Sequence, residues 1–286
     1  MRRAVLLLAA LGGMHAQGVG FPVKPRICYE ATFRARVVQG PTLEAAPQLA
    51  DVVPICVSRA TVLGVRFAAV QWGFRDAAGK AIPRPHEGAS PQTLFSRDWR
   101  TFRHRFWTPE NAVRFEIFPM AGAKGNKVEL ADASVTEIPA PATLNFNGDF
   151  SAADDAVWGW QLVGTTLFQN IAPGRSVVSV HENTMHGDLF PVTPGRRIRV
   201  EATCSDPTNP RAEHLSHANV RLSFYGTYAE AAERAQRGKM AEMPVSPKGR
   251  HAKATRTYLV PEGRHWARVS VWHGIAEKID VTEVKE

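Results

Sequence analysis

The residues whose type and spacing suggest holding a metal or attacking a substrate are His181 and His186 in "HENTMH", His214 and His217 in "HLSH", and the cysteines Cys28, Cys56 and Cys204. Neither histidine pair carries that chemistry through. The zinc-protease signature needs two histidines four apart on one helix face, whereas His181 and His186 are five apart in a Gly-bounded stretch that reads as strand and loop. His214 and His217 have no third ligand nearby and read as a solvated loop. The cysteine number is odd, so at least one stays unpaired under oxidising conditions, and no Cys-x-x-Cys spacing points to metal or redox work. A Cys28–Cys56 bridge within the first half is one open pairing. The chain has no nucleophile elbow, phosphate loop or obvious carboxylate pair. The expectation is a protein that is not an enzyme, with no catalytic residue, no metal and no cofactor.

A different set of residues could make a binding surface. In "ARVSVWH", Ala267, Val269 and Val271 alternate with Arg268, Ser270 and Trp272, the period-two pattern of a strand with one apolar face. Trp266 falls on the polar side of that strand. In "VRLSFY", Arg221, Ser223 and Tyr225 lie opposite the apolar Val220, Leu222 and Phe224. Trp266, Arg268, Trp272, Arg221 and Tyr225 are therefore the candidate ligand-binding residues, an aromatic and guanidinium platform on one sheet face. The first half offers Arg114, Glu116 and Phe118 at the matching places, a poorer platform. Trp72, Trp99, Trp158 and Trp160 are expected to plug the ends of a core.

These strands belong to a repeat. "FPVKPRICYEAT" (Phe21 to Thr32) is answered by "FPVTPGRRIRVEAT" (Phe190 to Thr203), and further matches follow in the same order. "AAVQWGFRDA" is answered by "ANVRLSFYGT", "RFWTPENAVRFEIF" by "TYLVPEGRHWARVSVW", and "VTEI" by "VTEV". Collinear matches of this kind imply a tandem duplication of one domain. The join is the Pro- and Ala-rich "IPAPATL" (Ile138 to Leu144), stiff by composition. The copies are unequal, because a long stretch from Asn145 to Asp188 precedes the second FPVTP and has almost no counterpart in the first. The first copy thus lacks opening strands and is expected to leave a sheet edge open, where a protein partner could add.

Short alternating strands with Pro and Gly punctuation, and no long amphipathic helix, predict an all-β fold of two tandem antiparallel β-sandwiches. The one helical-looking stretch, "TYAEAAERAQRGKM" (Thr227 to Met240), reads as an insertion between strands of the second copy. A length of 286 residues suits two domains, and 44% hydrophobic residues suffice for a core in each. The net charge of +8 is scattered rather than run together, which argues against a nucleic-acid partner. "MRRAVLLLAALGGMHA" puts Arg2 and Arg3 before an apolar run too short to span a bilayer, the order of a secretory signal peptide cleaved after Ala16. The domains expected are therefore 1–16 as signal peptide, 17–139 as an abbreviated sandwich and 140–286 as a complete one, in an exported protein with no membrane span.

The run "NGDFS", "VWGW", "PVTPGRRIRVEA", "VRLSF", "TYLVPEG", "ARVSVW" and "IDVTEV" resembles carbohydrate-binding modules of the family 4/9 type, β-jelly rolls of the galactose-binding-like superfamily. The first copy resembles the same family from "FPVKPRICYEATFRAR" to "VELADASVTEI". The resemblance implies a polysaccharide or cell-surface glycan as partner. The platform fits this, since sugars stack their apolar faces on aromatic rings and take hydrogen bonds from a few fixed polar groups. Such modules commonly hold a structural calcium through an acidic residue after the Asn-Gly-Asp-Phe motif and an Asp near the last strand. Here Ser151 stands at the first place, with Ala131 and Glu277 near the second in the two copies, so the donors are depleted. Asp149 and Glu277 are the residues to suspect were calcium bound. Two other readings remain at this stage: a structural or adhesive surface protein, and a glycan-degrading enzyme built on jelly rolls.

Overall fold

A computed structural model describes residues 18–42, 61–62, 65–83, 92–94, 96–120, 125–150, 159–162, 165–172, 175–205, 218–231, 240–245 and 252–284. The expected signal peptide, Cys56, Trp158 and the "HLSH" histidines lie outside these residues. The chain forms two compact units, Met1–Val53, Arg59–Ile82 and Ser90–Pro139 in the first, and Ala140–Glu286 with the short segments Pro54–Ser58 and Pro83–Ala89 in the second. Both are antiparallel β structures. Among the described residues no helix is long and apolar enough to cross a membrane.

The first unit is two sheets. One runs β1 (Val19–Pro22), β9 (Arg114–Met120), β5 (Ala68–Arg75) and β6 (Ala81–Ile82), with β7 (Gln92–Leu94) also on β5. The other runs β10 (Lys127–Glu137), β2 (Cys28–Gln39) and β8 (Arg100–Trp107). A short hairpin of β3 (Thr61–Val62) and β4 (Val65–Arg66) stands apart. The sequence of β2 dictates its faces: Tyr29, Ala31, Phe33, Ala35 and Val37 are buried, and the residues between them look outward. In β8, Phe102, His104 and Phe106 turn inward on the same rule. Phe106 stacks on Phe115 of β9 at 4.1 Å between ring centres, which joins the two sheets face to face. Trp72 lies in this core, 4.8 Å from the His104 ring. Trp99 departs from expectation. It does not plug the core but lies beneath the outward guanidinium groups of Arg34 and Arg36, at 4.9 and 4.6 Å. Cys28 is a buried free thiol.

Among the described residues β10 pairs with β2 alone. The strand is bulged between Ala131 and Ser134, with Asp132 at a φ of 51°. A bulge of this kind twists an edge away from further pairing.

The second unit is one continuous sheet folded on itself. Its strands are β11 (Trp160–Leu162), β12 (Thr165–Ala172), β13 (Arg175–Gly187), β14 (Phe190–Pro191), β15 (Arg197–Ser205), β16 (Ala218–Tyr225), β17 (Met240–Val245), β18 (Ala252–Leu259) and β19 (Trp266–Glu283). The fold depends on β19, which spans 18 residues. Its first half pairs with β16, β14 and the end of β13, and its second half with β15 and the start of β13. Gly274, at a φ of 90°, lies between the halves where the strand turns. Met185, Ile198, Val200, Leu222, Val269 and Val281 are among the buried side chains of the core.

The pairings repeat as the sequence does. β1 lies on β9 as β14 lies on the first half of β19, and β5 lies on β9 as β16 does on β19. β2 lies between β8 and β10 as β15 lies between β18 and the second half of β19. Two things distinguish the second unit: β9 and β10 are merged into β19, and β11, β12 and β13 are added beside it.

"NFNGDF" opens the second unit and is bound to its last strand. Asn145 donates through Nδ2 to the Ile279 carbonyl and accepts through Oδ1 from the Val281 amide, both at 2.7 Å. Gly148 passes so close to the Ile279 carbonyl that a Cβ would collide with it. Trp160 donates its indole N–H to the Asn147 carbonyl at 2.9 Å and packs on Phe150, so it does plug the core.

Of the helical-looking stretch from Thr227 to Met240, residues 232–239 lie outside the described residues. Ala229–Ala231 is a single 3-10 turn and Met240 already belongs to β17. The Glu230 carboxylate curls back to accept from the Gly226 amide at 2.7 Å and from Arg264 at 3.2 Å, tying the segment into a tight turn.

Candidate functional site

The register of β19 with its neighbours assembles the site. Residues directly opposite in an antiparallel pair share a face. On β16 and β19 these pairs are Tyr225 with Trp266, Ser223 with Arg268, Arg221 with Ser270 and Asn219 with Trp272. On the other side of β19, His186 of β13 stands opposite Ser270. On the far side of β16, Glu242 of β17 is opposite Arg221 in register. Strand alternation sends Val220, Leu222, Phe224, Ala267, Val269 and Val271 into the core from the opposite face. The result is a polar and aromatic row along the face that looks away from the core.

That face was expected to be open. Instead it is covered along much of its length, with Trp266 wholly buried and Tyr225 and Arg268 each 5% exposed. The reason is local. The chain leaving β16 turns back through Tyr228, whose ring meets Trp266 edge-on at 5.3 Å, and Trp266 thereby becomes a wall rather than an open stacking surface. Arg221 and Asn219 remain partly exposed further along. The side chain of Trp272 lies outside the described residues.

Arg268 stands at the centre of the row. Its Nη2 donates to the Tyr225 hydroxyl at 3.0 Å, and its guanidinium lies 5.6 Å from the Tyr225 ring centre. Its Nε and Nη1 are buried with no hydrogen-bond partner. Burial lowers its pKa from the ordinary value, and Tyr225, Tyr228 and Asp188 work against that shift electrostatically. An arginine remains charged at neutral pH even so. Beside it, His186 Nδ1 and the Ser270 hydroxyl meet at 2.7 Å, a buried pair that satisfies both groups. Asn219 Oδ1 is a further buried polar atom without a partner.

Sequence reasoning placed Arg268, Tyr225, Trp266 and Arg221 on one face, and the structure brings them together there. It did not foresee His186, Asp188 or Tyr228 as neighbours of Arg268 and Ser270. His186 entered the sequence reading only as half of a rejected zinc pair, in a stretch read as strand and loop; His181 and His186 lie in β13. Two-residue alternation along "MHGDL" was the signal that could have put His186 and Asp188 on one face.

The matching face of the first unit is chemically different. Glu116 occupies the place of Arg268, and its carboxylate takes Arg75 Nε at 2.7 Å and Arg114 Nε at 3.2 Å. Arg75 and Arg114 stand where the second unit has Tyr225 and Trp266. The charge of Glu116 is therefore compensated by its own neighbours.

The calcium donors do not fit a metal. Calcium takes about six to eight oxygens, but Lys278 brings an ammonium to the Asp280 carboxylate at 2.7 Å, with Asp149 and Glu201 close enough to hold its charge. Asn145 and Gly148 spend their polar groups on Ile279 and Val281. Among the described residues no three His, Cys, Asp or Glu side chains gather as ligands.

No family model matches this chain, and no curated protein matches it. Solved structures do. The tandem CBM22-1–CBM22-2 domain of Xyn10C from Paenibacillus barcinonensis is 11% identical, with a TM-score of 0.33, over 99% of this chain and 91% of that one. The tandem CBM51 modules of Sp3GH98 from Streptococcus pneumoniae are 10% identical, with a TM-score of 0.26, over 93% and 80%. The ANX2 ectodomain from Arabidopsis thaliana is 10% identical, with a TM-score of 0.30, over 95% and 82%. What the row can do is decided by its side chains rather than by these likenesses.

Proposed function

We propose that this chain is an exported, non-catalytic carbohydrate-binding protein that takes a polysaccharide or cell-surface glycan on the β16–β19 face of its second unit. The observation that carries the reading is Arg268, a nearly buried guanidinium with unmet N–H groups in a row of aromatic and hydroxyl side chains. A buried donor without a partner costs roughly 1–3 kcal/mol, more when charged. A core designed only for packing would not carry it, whereas a site that hydrogen-bonds sugar oxygens regains that energy on binding. Export rests on the Arg-led apolar start of the chain. The first unit, its equivalent face closed by Glu116, serves as scaffold.

The test is binding of the chain from Gln17 to Glu286 to a panel of neutral and anionic polysaccharides at low and high salt, beside Trp272→Ala. Binding to at least one glycan that survives salt and weakens in the variant supports the reading. Binding to none, or binding abolished by salt alone, refutes it and leaves a structural surface protein.

A further inference from the structure

The two copies of one face differ at their centres in the sign of the charge. In the first unit an acid, Glu116, is held by two arginines across and along the strands, at 2.7 and 3.2 Å. In the second unit the centre is a base, Arg268, and the places of those two arginines hold Tyr225 and Trp266, neither of them an acid. Tyr225 supplies one acceptor. Asp188 lies near enough to act on the charge, while Nε and Nη1 make no hydrogen bond. The other basic side chain of the row, Arg221, has Glu242 opposite it in register; Arg268 has Ser223. Arg268 is thus a guanidinium at the position where the sister domain holds an acid in an ion pair, with Asp188 near it but no carboxylate hydrogen-bonded to its Nε or Nη1.

We propose that the missing half comes from the ligand: the second unit recognises an acidic polysaccharide by seating the carboxylate of a uronic acid residue on Arg268 Nε and Nη1. This rests on the reading of the face as a glycan site and names its substrate class. A planar guanidinium suits a carboxylate better than it suits a hydroxyl, because charge-assisted hydrogen bonds to a two-oxygen acceptor are shorter and roughly twice as strong as neutral ones. Desolvation sharpens the effect, since a buried charge gains more from a partner than an exposed one. Arg268 is 5% exposed, so a ligand group reaching it displaces part of the cover over the row.

The decisive probe is one polymer in two forms, polygalacturonate and its methyl-esterified counterpart, which differ only in the free carboxylate. Dextran sulfate and a neutral xylan complete the set. Titration calorimetry on the chain from Gln17 to Glu286 at physiological salt should give at least about tenfold tighter binding to the free acid than to the ester. Arg268→Met should abolish that difference, and Arg268→Lys should restore part of it. Because Arg268→Met removes a buried charge whose Nε and Nη1 make no hydrogen bond, its melting temperature should equal or exceed that of the parent.

Equal affinity for acid and ester, with both bound, overturns the carboxylate while leaving the glycan reading intact. Binding to none of the polymers overturns both. A preference for the acid that persists in Arg268→Met assigns it to the scattered surface charge and overturns the role of Arg268. Dextran sulfate bound as tightly as polygalacturonate makes the site a general anion site and overturns the uronic acid. A melting temperature lowered by more than about 5 °C in Arg268→Met, a loss of the order of 1–2 kcal/mol, makes this arginine a structural group and overturns the proposal.

Discussion

His104 gives the first unit a stability that depends on pH in a calculable way. Its ring is 3% exposed, between Trp72 and Phe106, at 4.8 and 5.9 Å. Burial pushes its pKa down to about 3 from 6.5. The folded pKa lies below the unfolded one, so the unfolded chain binds more protons between these values. Stability is therefore complete above pH 6.5 and declines as pH falls towards 3. At about 1.36 kcal/mol per unit, the loss is about 2 kcal/mol at pH 5 and approaches about 5 kcal/mol below pH 3. Carboxylates also titrate over this range, so the measurement is a difference. Urea unfolding of the parent and of His104→Leu at pH 7 and pH 5 should show the parent losing about 2 kcal/mol more than the variant over that interval. Whichever transition the substitution moves is that of the first unit. A labelled-histidine spectrum should show the His104 resonances not titrating between pH 7 and pH 4. Parallel stability curves for the two proteins, or a His104 resonance that titrates near 6, would refute the burial and the arithmetic built on it.

Asn145→Ala should destabilise the second unit by about 2–4 kcal/mol, because the Ile279 carbonyl and Val281 amide each lose a buried partner; a change below about 0.5 kcal/mol in urea unfolding would contradict the clamp. Trp160→Ala should cost about 3–5 kcal/mol by the same assay, since the indole fills the space beside Phe150 and satisfies the Asn147 carbonyl. Cys28 and Cys204 have thiols that burial pushes up to about 12. At pH 8 neither should react with iodoacetamide until denaturant is added, and mass spectrometry of the native protein would show any modification. Calcium or a chelator should shift the melting temperature by less than about 1 °C, within ordinary surface effects, because Lys278 already supplies a cation to Asp280; a calcium-dependent rise of several degrees would show that oxygen ligands gather after all.

The architecture was legible because its determinants are local and periodic. "CYEATFRARV" and "RVSVW" alternate in register with the sheet they make, and Pro-Gly punctuation marks where each strand stops. The duplication was legible for the same reason, and the pairing of β2 with β8 and β10 recurs strand for strand in β15, β18 and β19. The described start of "TYAEAAERAQRGKM" is a turn despite its composition, because helix propensity is a weak prior beside tertiary contacts: Glu230 finds Gly226 and Arg264, and Tyr228 finds Trp266. That same turn explains the error over the platform. Alternation correctly said which side chains leave the core face, but it carries no information about what then folds over them. Trp99 was misread for a related reason, since an indole can be covered by two arginine side chains as well as by a core.

Duplication gives each copy of this face a different constraint. Once Glu116 ties Arg75 and Arg114 together, the first unit has a face that needs nothing from outside and can drift only by losing pairs. In the second unit the added strand β13 brings His186 and Asp188 alongside β19, and Tyr228 closes over Trp266. Burial of the row follows from those additions. It is burial that changes the meaning of Arg268: on an open sheet face water would satisfy its N–H groups and the residue would signify little. Enclosed, its Nε and Nη1 make no hydrogen bond among the described residues. The cover over the row is thus what turns a surface arginine into a buried one, and the proposed preference for an acidic ligand rests on that burial.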